Sequence, residues 1–578
     1  MSETGQGTND SGHHVPVRAE TPDSVGAYPR LTGAQLEKLA LRGRTRTVKA
    51  GEVLTRNGEH PAAFFAVLDG HLLAADLEPE ATEPAATSQP TVTIHGPGRF
   101  VGDVGLLEGQ PSFVTIMAID DGAVLEVPIT ELKSIVLSDP SVGETILRAY
   151  LIRRSLAIGY GSGLRIVGSR FSPRTRELLD FVARNRLPHR LIDLDEDPKA
   201  EAFVRQSGLT AADFPLVILG GSRLVKNPTP ASLADELGMR PPVPPSNCDV
   251  LVIGAGPAGL AAAVYAASDG LSVYLCDRVA AGGQAATSAH IENYLGFPSG
   301  ISGAELAERA LLQVRKFGAT LDIPATVQRV IREDGRFRVE FTDGHEVSTD
   351  AVVVATGVQY RHLSAAGLER FETSDVFYAA TAQESRLCGN APVAVVGGGN
   401  SAGQAALFLA RTASQVHLIV RGPDLLHGMS RYLVDQIEQN PTIDVLLSTE
   451  VVEARGKTHL EELVVQDGSG QRRALQARHL FIFAGASPST TWLDPSVARD
   501  QAGYLLTGEA ARFPDDEVAL ADSERHPLPL ETSVPGIFAI GDVRSGSVKR
   551  MSSAIGEGAS VVRQLHDYLN GGRHVRAE

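Results

Sequence analysis

Two glycine turns, GAGPAG at 254–259 and GGGNSA at 397–402, constrain the fold of this chain more than any other feature. Each turn follows an apolar run, CDVLVI or PVAVV, and each opens an alanine-rich segment with helical character. A strand, a glycine turn and a helix in this order begin a βαβ unit of an open, mostly parallel sheet. We therefore expect residues 248–572 to form an α/β region with two dinucleotide-type folds.

The first turn has the spacing of a phosphate-binding loop. Gly254 makes the tight turn, Gly256 lets the backbone approach a pyrophosphate, and Gly259 lets helix and strand pack closely. The next strand, LSVYLCD, ends in Asp277, whose carboxylate suits a ribose diol and repels a 2′-phosphate. This pattern favours FAD or NAD over NADP, and the alternative is a turn that only permits packing. The expected nucleotide contacts are Gly254, Gly256, Pro257, Ala258, Gly259 and Asp277.

The second turn repeats the pattern with a basic residue in place of the acid. Gly397, Gly399 and Ala402 fill the three small-residue positions, and the strand QVHLIV is followed by Arg421. A guanidinium at this position pairs with a 2′-phosphate, which favours NADPH, although one arginine leaves NADH open. The expected contacts here are Gly397, Gly399, Asn400, Ser401, Ala402 and Arg421.

Further motifs give the region a specific resemblance. GGQ, IENYLGFP, VVVATG and IFAIGDV stand around the two turns in the order found in low-molecular-weight thioredoxin reductases. The resemblance implies an FAD domain at about 248–372 and 488–572, an NADPH domain at about 375–487, and a homodimer. It also implies further cofactor-binding residues, which are Gly283, Gln284, Asn293, Val327, Gly357, Asp542, Lys549, Arg550 and Met551.

One departure from this family changes the expected chemistry. Thioredoxin reductases carry a CxxC in the segment entering the NADPH domain, where this chain has Ala379, Ala380, Thr381 and Ala382. Neither alanine nor threonine forms a disulfide, so the chain has no dithiol there to take electrons from a flavin. Cys388 is nearby but single, and we expect a buried, inert thiol. Gly422, where the family commonly has a second arginine, weakens the preference for NADPH.

A shorter unit at 164–240 resembles a thioredoxin or glutaredoxin fold. Its strand LRIVGS, helix PRTRELLDFVARNRL and strand RLIDLDED form a β-α-β unit, and Pro215 in DFPLVIL stands where that fold has a cis-proline. The positions of the redox CxxC are occupied by Ser172, Pro173, Arg174 and Thr175. Serine followed by proline starts a helix well and exchanges no disulfides. We expect a redox-inactive domain, followed by a proline-rich linker at 241–247.

Residues 29–155 resemble a cyclic nucleotide-binding domain, a β-roll followed by helices. Gly102 and the helical turn of the phosphate-binding loop are present, but Asp103 replaces the glutamate that binds the ribose. Ser112, followed by Phe113, stands where the family has the arginine that pairs with the phosphate. Without that charge-assisted pair, binding of a cyclic nucleotide is disfavoured. A different small molecule, or a structural and dimerising domain, is an equal alternative.

Composition and charge exclude several other classes of protein. The net charge is -16 without a Lys/Arg tract, which argues against nucleic-acid binding. The three cysteines are far apart in sequence, so neither a disulfide scaffold nor a cysteine-rich metal site is expected, and a cytoplasmic location fits. The polar start has no secretory signal, 1–28 is expected to be a disordered tail, and 77–90 an acidic, proline-rich loop. The uncharged stretch 250–268 contains the first glycine turn and therefore predicts no membrane span.

Together these features predict a multidomain FAD-dependent NAD(P)H oxidoreductase. Electrons would pass from NADPH through FAD to an acceptor outside the chain, which is a quinone, an iron–sulfur or flavin protein, dioxygen, or a partner's disulfide. No side chain is needed as acid, base or nucleophile, so no catalytic residue is assigned. The alternatives are a nucleotide-binding signalling protein without turnover, and a thioredoxin-disulfide reductase that uses a partner's cysteines.

Overall fold

The computed structural model shows two compact units. The first comprises 1–165, 188–190 and 217–225, and the second comprises 166–187, 191–216 and 226–578. The structure describes residues 19–23, 25–76, 92–197, 209–220, 223–288, 291, 294–333, 335–360, 363–371, 375–378, 380, 385, 388–457, 459–483, 485–511 and 526–576. The loop predicted at 77–90 and most of the predicted tail lie outside these residues.

The first unit contains the predicted β-roll, and its assignment is confirmed. Its helices are α1 Gly33–Ala40, α2 Val104–Glu108, α3 Ile129–Ser138 and α4 Pro140–Tyr160. Its strands are β1 Arg44–Val48, β2 Val53–Thr55, β3 Ala63–Asp69, β4 Leu72–Ala75, β5 Val92–His95, β6 Thr115–Ala118 and β7 Gly122–Pro128. They form two sheets of order β1-β7-β3 and β2-β6-β4-β5, with apolar side chains between them.

Order begins earlier than the predicted domain boundary at residue 29. The backbone N–H of Thr21 donates to the carbonyl of Ile94 at 3.1 Å, and the side chain of Arg99 binds the carbonyl of Thr21 at 2.5 Å. Ala27 is fully buried, and its carbonyl accepts a hydrogen bond from Arg153 at 2.7 Å. The segment 19–28 therefore belongs to the β-roll in its described part, because backbone hydrogen bonds and a buried arginine hold it there.

The middle segment has the predicted β-α-β order. Its elements are β8 Leu164–Gly168, α5 Pro173–Arg184, β9 His189–Asp193, β10 Leu216–Leu219, β11 Arg223–Lys226 and α6 Pro230–Glu236, and the sheet order is β11-β10-β8-β9. Ser172 caps α5 by accepting from the backbone N–H of Thr175, with Pro173 at the first helical position. The peptide bond before Pro215 is cis. These local features agree with the predictions made from the residues, and a thioredoxin-like identity stays a prediction.

The first α/β domain is built on a mostly parallel sheet. Its elements in chain order are β12 Asn247–Ile253, α7 Pro257–Ser268, β13 Val273–Cys276, α8 Gly303–Lys316, β14 Thr320–Asp322, β15 Val327–Glu333, β16 Arg336–Phe341 and β17 Glu346–Val354. The sheet order is β14-β13-β12-β17-β16-β15. Strands β14, β13, β12 and β17 are parallel, whereas β16 and β15 add an antiparallel extension.

The second α/β domain follows through a pair of short connecting strands. Its elements are β18 Val358–Tyr360, β19 Val376–Phe377, β20 Pro392–Val396, α9 Asn400–Leu409, β21 Gln415–Ile419, α10 Arg431–Glu438, β22 Ile443–Leu446, β23 Thr449–Arg455, β24 Glu462–Asp467, β25 Arg472–Gln476, β26 His479–Ile482 and β27 Ala486–Pro488. A parallel sheet of order β19-β26-β20-β21-β22 forms its core. Strand β18 pairs with β27, so the chain leaves and re-enters the first domain side by side.

The chain then completes the first domain. Strand β28 Ile537–Ala539 pairs in parallel with β17, and helix α11 Met551–Arg576 packs on α7. A Cβ on Gly558 would lie 2.4 Å from the carbonyl oxygen of Ala258, so glycine and alanine allow the two helices to approach closely. The predicted fold class, with two dinucleotide-type domains after an N-terminal β-roll, is confirmed.

The residue before the proline-rich segment is anchored to the first α/β domain. Arg240 donates through Nε to Oδ1 of Asp322 at 2.8 Å and through Nη2 to Asp343 at 2.6 Å. Asp322 is fully buried, and the hydroxyl of Tyr274 donates to its other oxygen at 2.5 Å. Because a buried carboxylate needs a partner, Arg240 is part of this domain's core.

None of the helices in the described ranges has a stretch that is both long and apolar enough to cross a membrane.

Candidate functional site

The first glycine turn leaves no room for side chains at two positions. Gly254 has φ +106°, and a Cβ there would lie 2.4 Å from the carbonyl oxygen of Ala355. A Cβ on Gly259 would lie 1.8 Å from the carbonyl oxygen of Gly254. The turn therefore connects β12 to α7 only with glycine at both positions.

Gly256 differs, because the space beside it is open. The nearest atom to a Cβ on Gly256 is Cα of Gly283 at 4.0 Å, and no side chain caps helix α7, whose N-cap is Gly256. Gly283 has φ +51° and lies in the turn Gly283–Thr287 facing Gly256. An uncapped helix N-terminus beside two glycines fits a pyrophosphate, whose oxygens accept from backbone N–H groups.

Asp277 is held at the end of β13 by the turn itself. Its Oδ2 accepts from the N–H of Ala255 at 2.8 Å, and its Oδ1 accepts from Val279 at 2.9 Å and Ala280 at 3.2 Å. A carboxylate has about four lone-pair sites, so one remains for a ribose hydroxyl. Burial raises the pKa of Asp277, although the three N–H donors act in the opposite direction.

Asp542 is the predicted cofactor-binding carboxylate whose oxygens are most available to a ligand. It lies in the turn Gly541–Val543, and a Cβ on Gly541 would lie 2.9 Å from Cβ of Ala258, which places this turn against the start of α7. The side chain of Asp542 is half-buried, and no group in the described ranges donates a hydrogen bond to it. Burial raises the pKa of Asp542, which Lys549 partly opposes. A carboxylate in this state is expected to bind hydroxyl groups of a cofactor.

The other predicted residues around this domain are placed less tightly. Asn293 lies outside the described residues, and Gln284 lies in the turn that faces Gly256. Val327 is buried opposite Phe341 at the start of β15, and Gly357 has φ +63° after β17. Lys549 is exposed and donates to the hydroxyl of Tyr504 at 2.5 Å, with Arg550 and Met551 following at the start of α11.

The second turn has the same physical features as the first. Gly397 has φ +148°, and a Cβ there would lie 2.6 Å from the carbonyl oxygen of Phe483, whereas a Cβ on Gly399 would meet only the carbonyl oxygen of Gly428, at 3.8 Å. Ala402 is fully buried, and Oδ1 of Asn400 accepts from the N–H of Ser430 at 2.7 Å, while Ser401 is exposed. No side chain caps α9.

Arg421 follows β21 at the position that the sequence predicts for phosphate recognition. The side chain is exposed, and within the described part of the chain it has neither a hydrogen bond nor an ion pair. A guanidinium without a protein partner beside an open glycine turn is free to pair with a phosphate of the bound nucleotide.

The segment in place of the dithiol is only partly described, and Ala379, Thr381 and Ala382 lie outside it. Ala380 is buried in the core of the second α/β domain together with Cys388, which is 3% exposed as predicted for an inert thiol. All three cysteines are buried and none of them forms a disulfide, and burial raises the pKa of Cys248 to about 11. Burial also raises the pKa of Cys276, so it disfavours the thiolate form of both residues at neutral pH.

The four residues predicted for the N-terminal ligand line one cavity of the β-roll. Gly102 has φ +102°, and a Cβ there would lie 2.9 Å from the hydroxyl of Tyr150. Asp103 caps α2 by accepting from Gly105, and Phe113 is buried. Ser112 donates to the carbonyl of Val114 at 2.7 Å, so its hydroxyl stabilises the loop and supplies no positive charge.

A buried arginine of α4 binds the group predicted for the ribose. Nε of Arg154 donates to Oδ2 of Asp103 at 2.8 Å, and Nη2 donates to Oε1 of Gln110 at 3.0 Å. A Cβ on Gly105 would lie 2.6 Å from Nη2 of Arg154, so only glycine leaves room for this contact. Asp103 is therefore occupied by the protein itself.

The neighbouring Arg153 is buried and forms no ion pair with a carboxylate of the described residues. It donates to the carbonyls of Ala27, Gly102 and Phe100 at 2.7, 2.8 and 3.0 Å, and its guanidinium lies 4.6 Å from the ring centre of Phe100. Burial lowers the pKa of Arg153 to about 10. The motifs used in the sequence analysis include neither arginine. Two adjacent arginines within the apolar helical run YLIRRSLAI nevertheless indicate that their charged side chains are buried.

Clusters of three or more His, Cys, Asp and Glu side chains suited to a metal ion do not occur in the described ranges.

Comparison with known proteins identifies relatives of both units. A family model described as pyridine nucleotide-disulphide oxidoreductase matches residues 248–558, and a cyclic nucleotide-binding domain model matches 45–139. The chain is 32% identical over 332 residues to mitochondrial thioredoxin reductase 2 of Saccharomyces cerevisiae, which covers 56% of this chain and 91% of that protein. It is 32% identical over 339 residues to mitochondrial thioredoxin reductase 1 of Arabidopsis thaliana, covering 56% and 84%. The crystal structure of T. acidophilum thioredoxin reductase superposes with a TM-score of 0.50 at 29% identity, covering 56% and 99%.

Proposed function

The chain belongs to the pyridine nucleotide-disulphide oxidoreductase family, and from that premise we propose that it passes electrons from NADPH through FAD to an acceptor outside the polypeptide. It is an FAD-dependent oxidoreductase like the thioredoxin reductases it resembles. Family membership identifies neither the electron acceptor nor any regulation by the N-terminal domain, and both belong to the proposal.

The two glycine turns supply the support for the cofactors. FAD, when bound, accepts a hydride from the nicotinamide and releases electrons to the next carrier. Gly256 and Gly283 leave space for its pyrophosphate, and Asp277 and Asp542 offer carboxylate oxygens to its hydroxyl groups. At the second turn, the room beside Gly399 and Arg421, which has no partner among the described residues, fit a nucleotide with a 2′-phosphate.

The observation that carries the proposal is the lack of an internal disulfide. The family's CxxC is replaced by Ala-Ala-Thr-Ala, and Cys248, Cys276 and Cys388 are all buried and form no disulfide. Burial raises the pKa of Cys248 and Cys276, which suppresses the reactive thiolate. Because disulfide exchange needs a thiolate, the onward electron carrier must come from another molecule.

Anaerobic stopped-flow absorbance tests the first half of the proposal. Purified protein is mixed with NADPH and, separately, with NADH, and the visible flavin absorbance is followed. Rapid bleaching with NADPH is expected. Bound FAD that neither coenzyme bleaches would contradict the proposal and would instead indicate a nucleotide-binding regulator.

A steady-state panel of acceptors tests the second half. Quinones, dioxygen and an iron–sulfur protein are compared with oxidised thioredoxin, each with NADPH as reductant. Turnover with at least one of the first group and none with thioredoxin alone is expected. Direct reduction of thioredoxin without a mediator would overturn the proposal, because no thiol of this chain is placed to carry those electrons.

Arg421 provides a test of the coenzyme. Arg421→Ala removes the guanidinium without affecting any contact in the described part of the chain. We expect KM for NADPH to rise by about tenfold, as for the loss of one charge-assisted pair at an exposed site, with KM for NADH unchanged. Arg411→Ala, an exposed arginine in the same domain, serves as the control. Equal changes for both coenzymes would contradict a role in 2′-phosphate recognition.

A further inference from the structure

The N-terminal cavity has changed its chemistry relative to the family it resembles. It has a volume of about 110 Å³ and lies within the first unit, between the β-roll and α4. Its walls are largely apolar, including Phe65, Phe113, Ile116 and Leu156. We propose that this cavity binds a small, uncharged aromatic compound with one hydrogen-bond acceptor, such as an aryl ketone, and that Gln110 is its polar anchor.

Gln110 is a donor fixed in place. Its Oε1 accepts from Nη2 of Arg154 at 3.0 Å, and because arginine only donates, the amide cannot be flipped. The Nε2 group has no hydrogen-bond partner within the described ranges, and it keeps accessible surface although the residue is only 5% exposed. A buried N–H donor that faces a cavity requires an acceptor from a ligand or from water.

The charged side chains around the cavity already have hydrogen-bond or ion-pair partners within the protein. Arg154 is paired with Asp103, and the donors of Arg153 bind three backbone carbonyls. Ser112 supplies no cation at the position where the family has its phosphate-binding arginine. To pair with Arg153, an anionic ligand would have to compete with the three backbone carbonyls that already bind this guanidinium, and a cationic ligand would meet the buried arginines, so a neutral ligand is favoured.

His95 also lines the cavity, and it adds no charge. Burial, with smaller contributions from Arg153 and Arg99, lowers its pKa well below the usual value for histidine, so the ring is neutral. Its Nε2 lies 3.1 Å from the hydroxyl of Thr93. The lining is therefore neutral on this side as well.

The volume of the cavity corresponds to about one ring. An engineered cavity of about 150 Å³ lined by apolar side chains binds benzene, and the present cavity is of similar size. A cyclic nucleotide with base, ribose and phosphate is far larger than one ring. The volume and the fixed amide donor of Gln110 together favour an aromatic ring with one carbonyl group.

Ligand-observed fluorine NMR on the full-length protein tests the proposal with three matched probes. These are para-fluoroacetophenone, which has an acceptor, para-fluoroethylbenzene, which has the same shape without one, and para-fluorobenzoate, which is anionic. We expect the ketone to bind about tenfold more tightly than the other two, as one hydrogen bond to a buried donor predicts. Equal binding of all three, or no binding of the ketone, would overturn the proposal.

Two variants locate the site. Gln110→Glu keeps an acceptor for Arg154 but removes the N–H donor, so ketone affinity should fall about tenfold while para-fluoroethylbenzene is unaffected. Ala157→Phe fills the cavity from α4 and should abolish binding of both. Circular dichroism confirms that each variant is folded. Ketone binding that survives both changes would overturn the assignment to this cavity.

Competition with cyclic AMP tests the opposing interpretation, in which the cavity binds a charged nucleotide. If it displaces para-fluoroacetophenone at a similar concentration, the cavity opens for a charged nucleotide and the proposal is wrong. If it does not displace the ketone, the neutral chemistry of the site is supported. Neither result depends on flavin reduction, so the test is independent of the oxidoreductase function.

Discussion

The flavoprotein region and the β-roll differ in whether the protein itself already binds the side chains predicted to contact a ligand. In the first α/β domain, Asp542 has no hydrogen-bond donor within the described ranges, and at the second turn Arg421 has no partner there. In the β-roll, Asp103 is paired with Arg154, and three N–H groups of Arg153 donate to backbone carbonyls. Asp542 and Arg421 are therefore open to a ligand, whereas the contacts of Asp103 and Arg153 within the protein compete with a charged one.

The largest effect is expected at the first glycine turn. Gly259→Val places side-chain carbon where Cβ would already lie 1.8 Å from a backbone oxygen, so folding of this domain should lose more than about 4 kcal/mol and FAD should be absent. Visible absorbance of the purified protein measures the flavin content. Gly571→Ala, which meets nothing within 4 Å, is the control and should retain FAD. Normal flavin in both proteins would show that the turn is not required.

The second effect tests whether the β-roll depends on its internal ion pair. Arg154→Met leaves Asp103 and Gln110 without their donor, and the stability of the β-roll should fall by about 3 kcal/mol, since Asp103 is partly solvated. Pulse proteolysis in urea, followed by mass spectrometry of peptides from the β-roll, measures the midpoint. Arg148→Met on the exposed side of the same helix should change stability by less than about 0.5 kcal/mol. An equal loss of stability in Arg154→Met and Arg148→Met would show that the buried ion pair is not important for the β-roll, and would remove the contrast with the flavoprotein region.

The third effect separates binding from stability at Asp542. Asp542→Asn should weaken FAD binding by about tenfold or more, because a hydrogen bond to a charged group is lost. The stability of the apoprotein should stay the same or rise, because burial already disfavours the charged carboxylate. Fluorescence titration of apoprotein with FAD and urea unfolding measure the two quantities. Asp567→Asn on the exposed side of α11 should change neither, and a parallel loss of stability in Asp542→Asn would indicate a structural role.

The smallest effect is a pH dependence of the β-roll. The folded state holds His95 neutral with a lowered pKa, whereas the unfolded chain takes up a proton below about 6.5. Above both pKa values stability is unaffected, and below about 6.5 it should fall by up to about 1.4 kcal/mol per pH unit. Pulse proteolysis between neutral and mildly acidic pH measures the slope. The variant His95→Gln should lack this component, and an identical slope would assign the effect to other groups.

The features predicted from sequence were local ones. The glycines at 254 and 259, the cap at Ser172 and the cis bond before Pro215 are encoded within a few neighbouring residues. The β-roll and the two α/β domains followed from motifs whose order is preserved along the chain. In each case the physical requirement, a positive φ or a close backbone approach, restricts the residue type directly.

The features missed were tertiary. Asp103 and Arg154 are 51 residues apart, and the motif around Asp103 gives no information about the side chain that reaches it. The order of 19–28 was missed for the same reason, since its partners Ile94 and Arg153 lie in distant elements. The sequence did offer one indication of such buried contacts, which is an apolar run interrupted by adjacent charged residues, such as the pair at 153–154.

The anchoring of Arg240 has a consequence for how this protein can be divided. The family model begins at residue 248, yet the fully buried Asp322 receives its cation from Arg240, which lies before that boundary. A fragment cut at the motif boundary would keep every glycine of the nucleotide turns and still carry an uncompensated carboxylate in its interior. The segment before residue 248 thus contributes to the interior of this domain, so the smallest independently stable piece is larger than the matched range 248–558.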